Sequence, residues 1–404
     1  MSGLKPVAQA LAEICQAIPT LGTEPVGLPQ AVGRLLMEDV VAGTHHPLAH
    51  MSAMDGYAVI ADDTLSPAPL QVVGESAAGA PFTKALESGQ AVRIFTGAYT
   101  PPNATAILLQ ENVSEQDGYI TPPEPVKAGT YIRNRGQDFA RDDVLIEAGT
   151  ILTARHIALA ASALQSRLMV KAQPKIAILS SGNELVSAGG IPRFGQLINS
   201  NSVFLASVLS QAGADVTDLG VLPDEAGALA ATIPDPSHYD LIVTTGGASV
   251  GKYDFIVTDL QSGADSGLEF WKIAMRPGKP LIFGHMADTP LIGLPGNPVS
   301  VAVCSFVFLR PVLGHMMGHS NLDVTTIDAI CTHDLAENDQ REDYLRSIAS
   351  QNEAGQWEVT AFSKQDSAMM HRLSRANAFL IRPAHDPAIR EGDTVKIALL
   401  PMGF

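Results

Sequence analysis

Apolar residues recur at helical spacing in the first segment, with Val7, Leu11, Ile14 and Ile18 on one face, and the pattern predicts helices over 6–18 and 28–37. From 43 to 138 the period changes. Short apolar runs (YAVIA, LQVVGE, AVRIFTG, AILLQENV, YIRN) alternate with Pro/Gly turns, which predicts an inserted, mostly β domain. VLIEAGT then leads into ILTARHIALAASALQSRL, a predicted helix capped by Thr153 with Ile157, Leu159, Ala160 and Leu164 apolar. It is expected to pack back on the first two helices, so that 1–42 with 139–172 form one helical, linking domain.

Residues 173–321 alternate strand and helix: KIAILSS, NSVFLASVLSQAG, ADVTDLGVL, DEAGALAATI and YDLIVTTGG. That order predicts right-handed crossovers and a doubly wound, mostly parallel sheet. Ligands bind beyond the carboxyl ends of such strands. SSGNEL, PDE and TGGASVG follow successive strands and should lie on one edge, joined by two further Gly/Pro-held loops, MRPGKP at 275–280 and GLPGNPVS at 293–300. Residues 322–404 carry five short runs (VTTIDAIC, DYLRSIAS, WEVTAF, AFLIRP, DTVKIALL) and predict a small C-terminal β-barrel. The fold class is thus multidomain α/β: a doubly wound module, an inserted mostly β domain and a β-barrel.

Composition narrows the function. With 404 residues, 46% hydrophobic and 17% charged, the chain reads as globular and too long for one core. The longest apolar stretch, 299–309, holds two serines and stops at Arg310, short of the roughly 20 residues a bilayer needs, so no membrane association is expected. Cys15, Cys304 and Cys331 show no CxxC spacing and the N-terminus shows no export signal, which together suggest the cytoplasm. A net charge of −16 argues against nucleic acid. An anionic ligand would need a local basic patch, and Lys272, Arg276 and Lys279 provide three cations in eight residues, on a turn where Pro277 fixes φ and Gly278 permits an unusual backbone.

Gly246 and Gly247 interrupt the chain where a buried strand ends, letting backbone approach an anion closely, with Ser249 just beyond. Glu184, Asp224 and Asp254 sit on the loops expected to converge. Each also reads as a first-turn helix acid. Asp55, in MDG, reads equally as a turn residue. Asn297 caps a helix starting at Pro298, and Pro295 with Pro298 can stiffen a pocket wall. His45, His46 and His50 show no metal-ligand spacing and read as surface loop.

SAMDGYAV at 52–59, FTGA at 95–98, RGQDF at 135–139, SSGNELV at 180–186, TGGASVGKYDF, MRPGKP and GLPGNPVS occur in an order that resembles the molybdopterin molybdenumtransferases, the MoeA and gephyrin E-domain family, from end to end. The resemblance implies four domains and a homodimer with active sites between subunits. It also implies insertion of molybdate into adenylylated molybdopterin with release of AMP, assisted by magnesium. Asp55, Thr96, Asp138, Glu184, Asp224 and Asp254 would be catalytic, Glu184 and Asp254 holding the metal, and Asp55 and Asp138 coming from the partner subunit. Gly246, Gly247, Ser249, Lys272, Arg276, Lys279, Pro295, Pro298 and Ser374 would bind substrate. Molybdopterin adenylyltransferase and molybdoenzyme maturation proteins are implied partners. His50, Met51, Thr105, Asn183 and Lys252 depart from the family pattern and thin its negative charge. Two other readings stay open: a non-catalytic scaffold, and an enzyme like the nicotinamide-nucleotide amidases on the same module.

Overall fold

A computed structural model describes residues 4–246, 255–262, 266–270, 272–401 and 404. The chain divides into two compact units, Met1–Gly22 with Lys171–Phe404, and Thr23–Val170.

In the first unit a six-stranded sheet runs in the order Asp215–Leu222, Lys175–Ser181, Leu241–Thr245, Thr289–Leu294, Ile282–Met286, Ser266–Phe270. The first four strands are parallel, and Ile282–Met286 runs antiparallel to both its neighbours, Thr289–Leu294 and Ser266–Phe270. Leu241–Thr245 is buried at every position, as expected of a strand covered on both faces. The antiparallel pair was not visible in the strand–helix alternation. The turn from Ile282–Met286 into Thr289–Leu294 is only Ala287 and Asp288, and Ala287 takes the left-handed φ of +47° that such a tight reversal requires.

Helix Ser200–Gln211 packs beside the sheet, in a core shared with Val7–Ala17 and the long helix Pro298–Met316. That last helix corrects an expectation. The helix runs on through Arg310 to 19 residues in all, long and apolar enough to cross a membrane, yet 89% of its most apolar window is buried inside the protein. Pro311 cannot donate a hydrogen bond and would crowd the carbonyl of the preceding turn, and the five-residue π turn Ser305–Leu309 just before it loosens the register there.

The C-terminal region closes into a five-stranded barrel. Glu342–Gln351 pairs with both Trp357–Ala361 and Ala378–Arg382, and Ile327–Cys331 and Thr394–Leu399 complete the ring. Met275–Arg276, from the basic loop, adds in parallel to Glu342 and Asp343 at the start of the barrel's longest strand.

The second unit is built on a sheet ordered Ala106–Leu109, Gly56–Val59, Gln90–Ile94, Leu70–Ser76, Tyr119–Thr121, Ser114–Gln116. Two expectations fail here. The helix predicted over 28–37 is a single 3₁₀ turn, Leu28–Ala31, preceded by the strand Thr23–Gly27 and ended before Gly33 at φ +80°. Helix Ala154–Ser162 does begin after Thr153, but the visible bond at that cap is the His156 ring accepting the Thr153 N–H at 3.1 Å. It packs with the 3₁₀ turn in a core that holds Ala31, Leu36, Ala160 and Ala163, whereas the apolar face of Val7–Ala17 belongs to a different core.

Candidate functional site

The carboxyl ends of the module's parallel strands open on a cavity of about 510 Å³ lined by Ser181, Glu184, Thr245, Gly246, Lys272, Lys279, Pro295 and Asn297. Parts of SSGNEL, PGKP and LPGN meet here with Thr245 and Gly246, the described end of the TGGASVG loop. Gly182 at φ +147° turns the chain so sharply after Ser181 that a Cβ there would lie 2.7 Å from the Glu184 carboxylate. The positive φ favours glycine, and the turn folds the flexible Glu184 side chain back over the strand end. Gly246 sits at φ +83°, and a Cβ on it would meet the Ser181 carbonyl at 2.4 Å. Two neighbouring strand ends thus approach more closely than any side chain would permit.

Asp224 stands behind this edge. Its carboxylate accepts the Ser181 hydroxyl and the Asn183 N–H, both at 3.0 Å, while the Asn183 side-chain oxygen accepts the Asp224 N–H at 3.3 Å. The Asn183 side chain thus serves as an acceptor for a backbone N–H, a task that an aspartate oxygen could also perform. Asp224 is therefore placed to hold the Glu184 loop.

Sequence reasoning missed Asn201. Its side-chain amide donates to the Thr245 hydroxyl at 3.1 Å and to the Gly296 carbonyl at 2.8 Å, and Thr245 in turn donates to the Pro295 carbonyl at 3.1 Å. This chain ties three cavity walls together. The available signal was a second asparagine in NSN; the first, Asn199, does the capping by accepting from Ser202 N–H.

The basic patch divides. Lys272 and Lys279 line the cavity, and the Ile273 N–H donates to the Lys279 carbonyl at 2.9 Å across the turn. Gly278 at φ +116° packs against Cys304 and Met275, where a Cβ would clash. Arg276 points elsewhere. Its guanidinium pairs with Asp343 and with Asp339 at 3.1 Å, and donates to Asn338 at 3.2 Å, all in the barrel region. The expectation that it grips an oxyanion does not match that placement. Ser374 is also outside the cavity: its hydroxyl donates to the His371 carbonyl at 3.0 Å, and it borders a separate apolar cavity with Phe204 and Phe404. Pro298 occupies the first turn of its helix behind Asn297, which makes no side-chain cap bond. Gly247, Ser249, Lys252 and Asp254 lie outside the described residues.

The second unit gathers its own candidates. Thr96 donates its N–H at 2.6 Å and its hydroxyl at 2.7 Å to one oxygen of Asp55. Those bonds, the backbone one first, hold the Asp55 carboxyl below its ordinary value. The MDG motif is accounted for by packing, since a Cβ at Gly56 would fall 1.8 Å from the Leu108 carbonyl of the paired strand. Asp138, exposed, is fixed through its backbone N–H to the His46 carbonyl at 3.0 Å. Thr105 has a structural task, accepting the Ala61 N–H at 2.8 Å.

No cluster of three or more His, Cys, Asp or Glu side chains suited to a metal occurs among the described residues. Glu184 alone fits a different arrangement. Magnesium commonly takes only one or two protein carboxylates and completes its shell with phosphate oxygens and water.

Comparison with known proteins agrees along the whole chain. Residues 5–163 match the MoeA N-terminal region (domain I and II), 177–315 a probable molybdopterin binding domain, and 328–400 the MoeA C-terminal region (domain IV). The chain is 35% identical over 393 residues to a molybdopterin molybdenumtransferase of Haemophilus influenzae, covering 96% of this chain and 97% of that one. It is 34% identical over 382 residues to molybdopterin molybdenumtransferase 2 of Mycobacterium tuberculosis, covering 92% and 94%. A crystal structure of the molybdopterin biosynthesis MoeA protein from Pyrococcus horikoshii superposes with a TM-score of 0.79 at 27% identity, covering 98% of this chain and 99% of that one.

Proposed function

The chain belongs to the molybdopterin molybdenumtransferase family of molybdenum cofactor biosynthesis, and from that premise we propose that it inserts molybdate into adenylylated molybdopterin and releases AMP. The observation that carries this reading is the single cavity where Glu184, Lys272, Lys279 and the Gly246 backbone meet. Both substrates are anionic. Two lysines at the cavity offset the repulsion between molybdate and a phosphoanhydride, each acting as a point charge. Glu184 would hold a divalent cation together with the substrate's own phosphate oxygens, and when bound that cation would neutralise charge developing on the phosphate as AMP leaves. Asp224 and Asn201 touch no substrate in this scheme and keep Glu184, Thr245 and Gly296 in place. Asp55, held by Thr96, would add a further carboxylate from the partner subunit, as the family resemblance implies. The reading extends to a magnesium-dependent homodimer in the cytoplasm.

The direct test incubates purified protein with adenylylated molybdopterin, magnesium and molybdate and measures AMP release with cofactor formation. Release that rises with molybdate supports the proposal; none at any concentration leaves a binding protein. Glu184→Gln should lower kcat by about 100-fold, or ~2.7 kcal/mol of barrier, without changing the melting temperature, since a neutral amide cannot replace a carboxylate on a hard cation. A smaller loss at high magnesium would assign the defect to metal affinity. Lys279→Met should raise the KM for molybdate about tenfold with little change in kcat, the pattern of lost ground-state attraction. Sizing at micromolar concentration with scattering checks the dimer.

A further inference from the structure

The histidine cluster before SAMDG forms part of a ladder. The segments 45–53 and 131–141 run antiparallel: Ser52 pairs with Ile132, Met51 with Arg133, and His46 with Phe139. His46 donates its N–H to the Phe139 carbonyl at 2.9 Å and stacks on that ring at 5.3 Å. Phe139 is buried and anchors one end of the loop, whereas Asp138 beside it is exposed. On either side of Asp138 a histidine ring closes the loop. His50 Nδ1 accepts the Arg135 N–H, and His45 Nδ1 accepts the Arg141 N–H, each at 3.3 Å. Gly136, at φ +68°, lies so close that a Cβ would be 3.2 Å from His45 Nδ1.

We propose that His45 and His50 are positioning residues for Asp138, latching the loop that carries it by accepting one backbone N–H on each flank through Nδ1. The inference rests on the reading of Asp138 as part of the transferase site, and it adds two residues to that site. An exposed loop with a single carboxylate samples many positions unless its backbone donors are satisfied by fixed acceptors. Here both acceptors come from one short segment that also leads into Asp55. The same strand pairing therefore ties together the two segments that carry the carboxylates, Asp138 at one end of the ladder and Asp55 beyond the other. For Nδ1 to accept, the ring proton must sit on Nε2, which both rings can adopt when neutral. His50 stands where the family pattern has a polar Asp/Asn pair, and an imidazole acceptor on the same Cγ branch does the work a side-chain oxygen would do.

The test uses the full chain with His45→Leu, His50→Leu, the double variant, and His45→Asn and His50→Asn, in which Oδ1 replaces Nδ1 on the same branch. Amide hydrogen exchange across 134–141, without substrate, should quicken about 3–10-fold in each leucine variant, in line with one lost hydrogen bond, and return to the wild-type rate in the asparagine variants. AMP release should show kcat reduced about 3–10-fold by each leucine change, with the KM for molybdate unchanged and the asparagine variants restored. Unchanged exchange in the double leucine variant, faster exchange with undiminished kcat, or asparagine variants as defective as leucine would each overturn the proposal. If the wild-type protein released no AMP, the transferase reading would fall with the role in it, while exchange would still report whether the two bonds exist.

Discussion

Gly246→Ala is expected to abolish AMP release and lower folding stability by about 3 kcal/mol, the upper end of what a side chain at a left-handed φ costs, with displaced backbone contributing. The conformation at φ +83° is the smaller part. The new methyl would stand 2.4 Å from the Ser181 carbonyl, an atom on the neighbouring strand that cannot rotate away. Either that strand end shifts or the Gly246 turn opens. Both move the cavity wall relative to Lys279 and Glu184. Thermal melting with turnover checks the claim. Near-normal activity with a normal melting temperature would show that the close approach of the two strand ends is not needed. Gly118→Ala, with the same left-handed φ of +80° but open space around its Cβ, provides the control for strain without collision. It should destabilise by about 1 kcal/mol and leave turnover alone.

The contrast shows which parts of the site can be read from a sequence. Gly246 was legible because a glycine closing the buried run YDLIVTT marks a strand end where the backbone must turn or be approached closely, and the convergence of SSGNEL and PDE followed from the parallel order of their strands. Those inferences use local pattern plus one topological rule. What failed depends on partners far along the chain. Asn201 looks like a cap residue until Thr245 and Gly296 are brought to it. Arg276 looks like Lys272 and Lys279 in the sequence, yet its partners Asp339 and Asp343 lie 63 and 67 residues away. The mistaken helix over 28–37 has a local cause: apolar spacing outweighed Pro29 and Gly33, whose backbone limits won. The histidines were set aside because their spacing suits no metal. Spacing says nothing about rings that serve as acceptors for a backbone returning some ninety residues later.

Arg276→Met tests the reassignment of that residue, and its expected effect is on stability. Asp343 is buried, with 4% of its surface exposed, and one carboxylate oxygen has no hydrogen-bond partner; the other is held by Arg276. Removing one partner of a buried pair typically costs 3–5 kcal/mol, and since the Arg276 side chain is 46% exposed, solvent screening brings the expectation to about 2–3 kcal/mol. The sign of the pH dependence follows from Asp343. Burial is the largest influence on its carboxyl and raises it above the ordinary value of 3.8, against the opposing pull of Arg276. A carboxyl whose folded-state value is raised favours the folded state when protonated, and that contribution is lost as pH rises through the raised value. Without Arg276 the opposing pull disappears and the value climbs further. The loss of stability in Arg276→Met should therefore be largest near neutrality and shrink as pH falls toward the carboxylate range. Arg276→Met combined with Asp343→Asn should recover most of the loss at pH 7, because no uncompensated charge is left buried. Urea unfolding of the wild type and the two variants at pH 7 and pH 5 measures all of this. If Arg276→Met instead raised the KM for molybdate with unchanged stability at both values, the guanidinium would belong to the anion site that Lys272 and Lys279 line, and the barrel contact would be incidental.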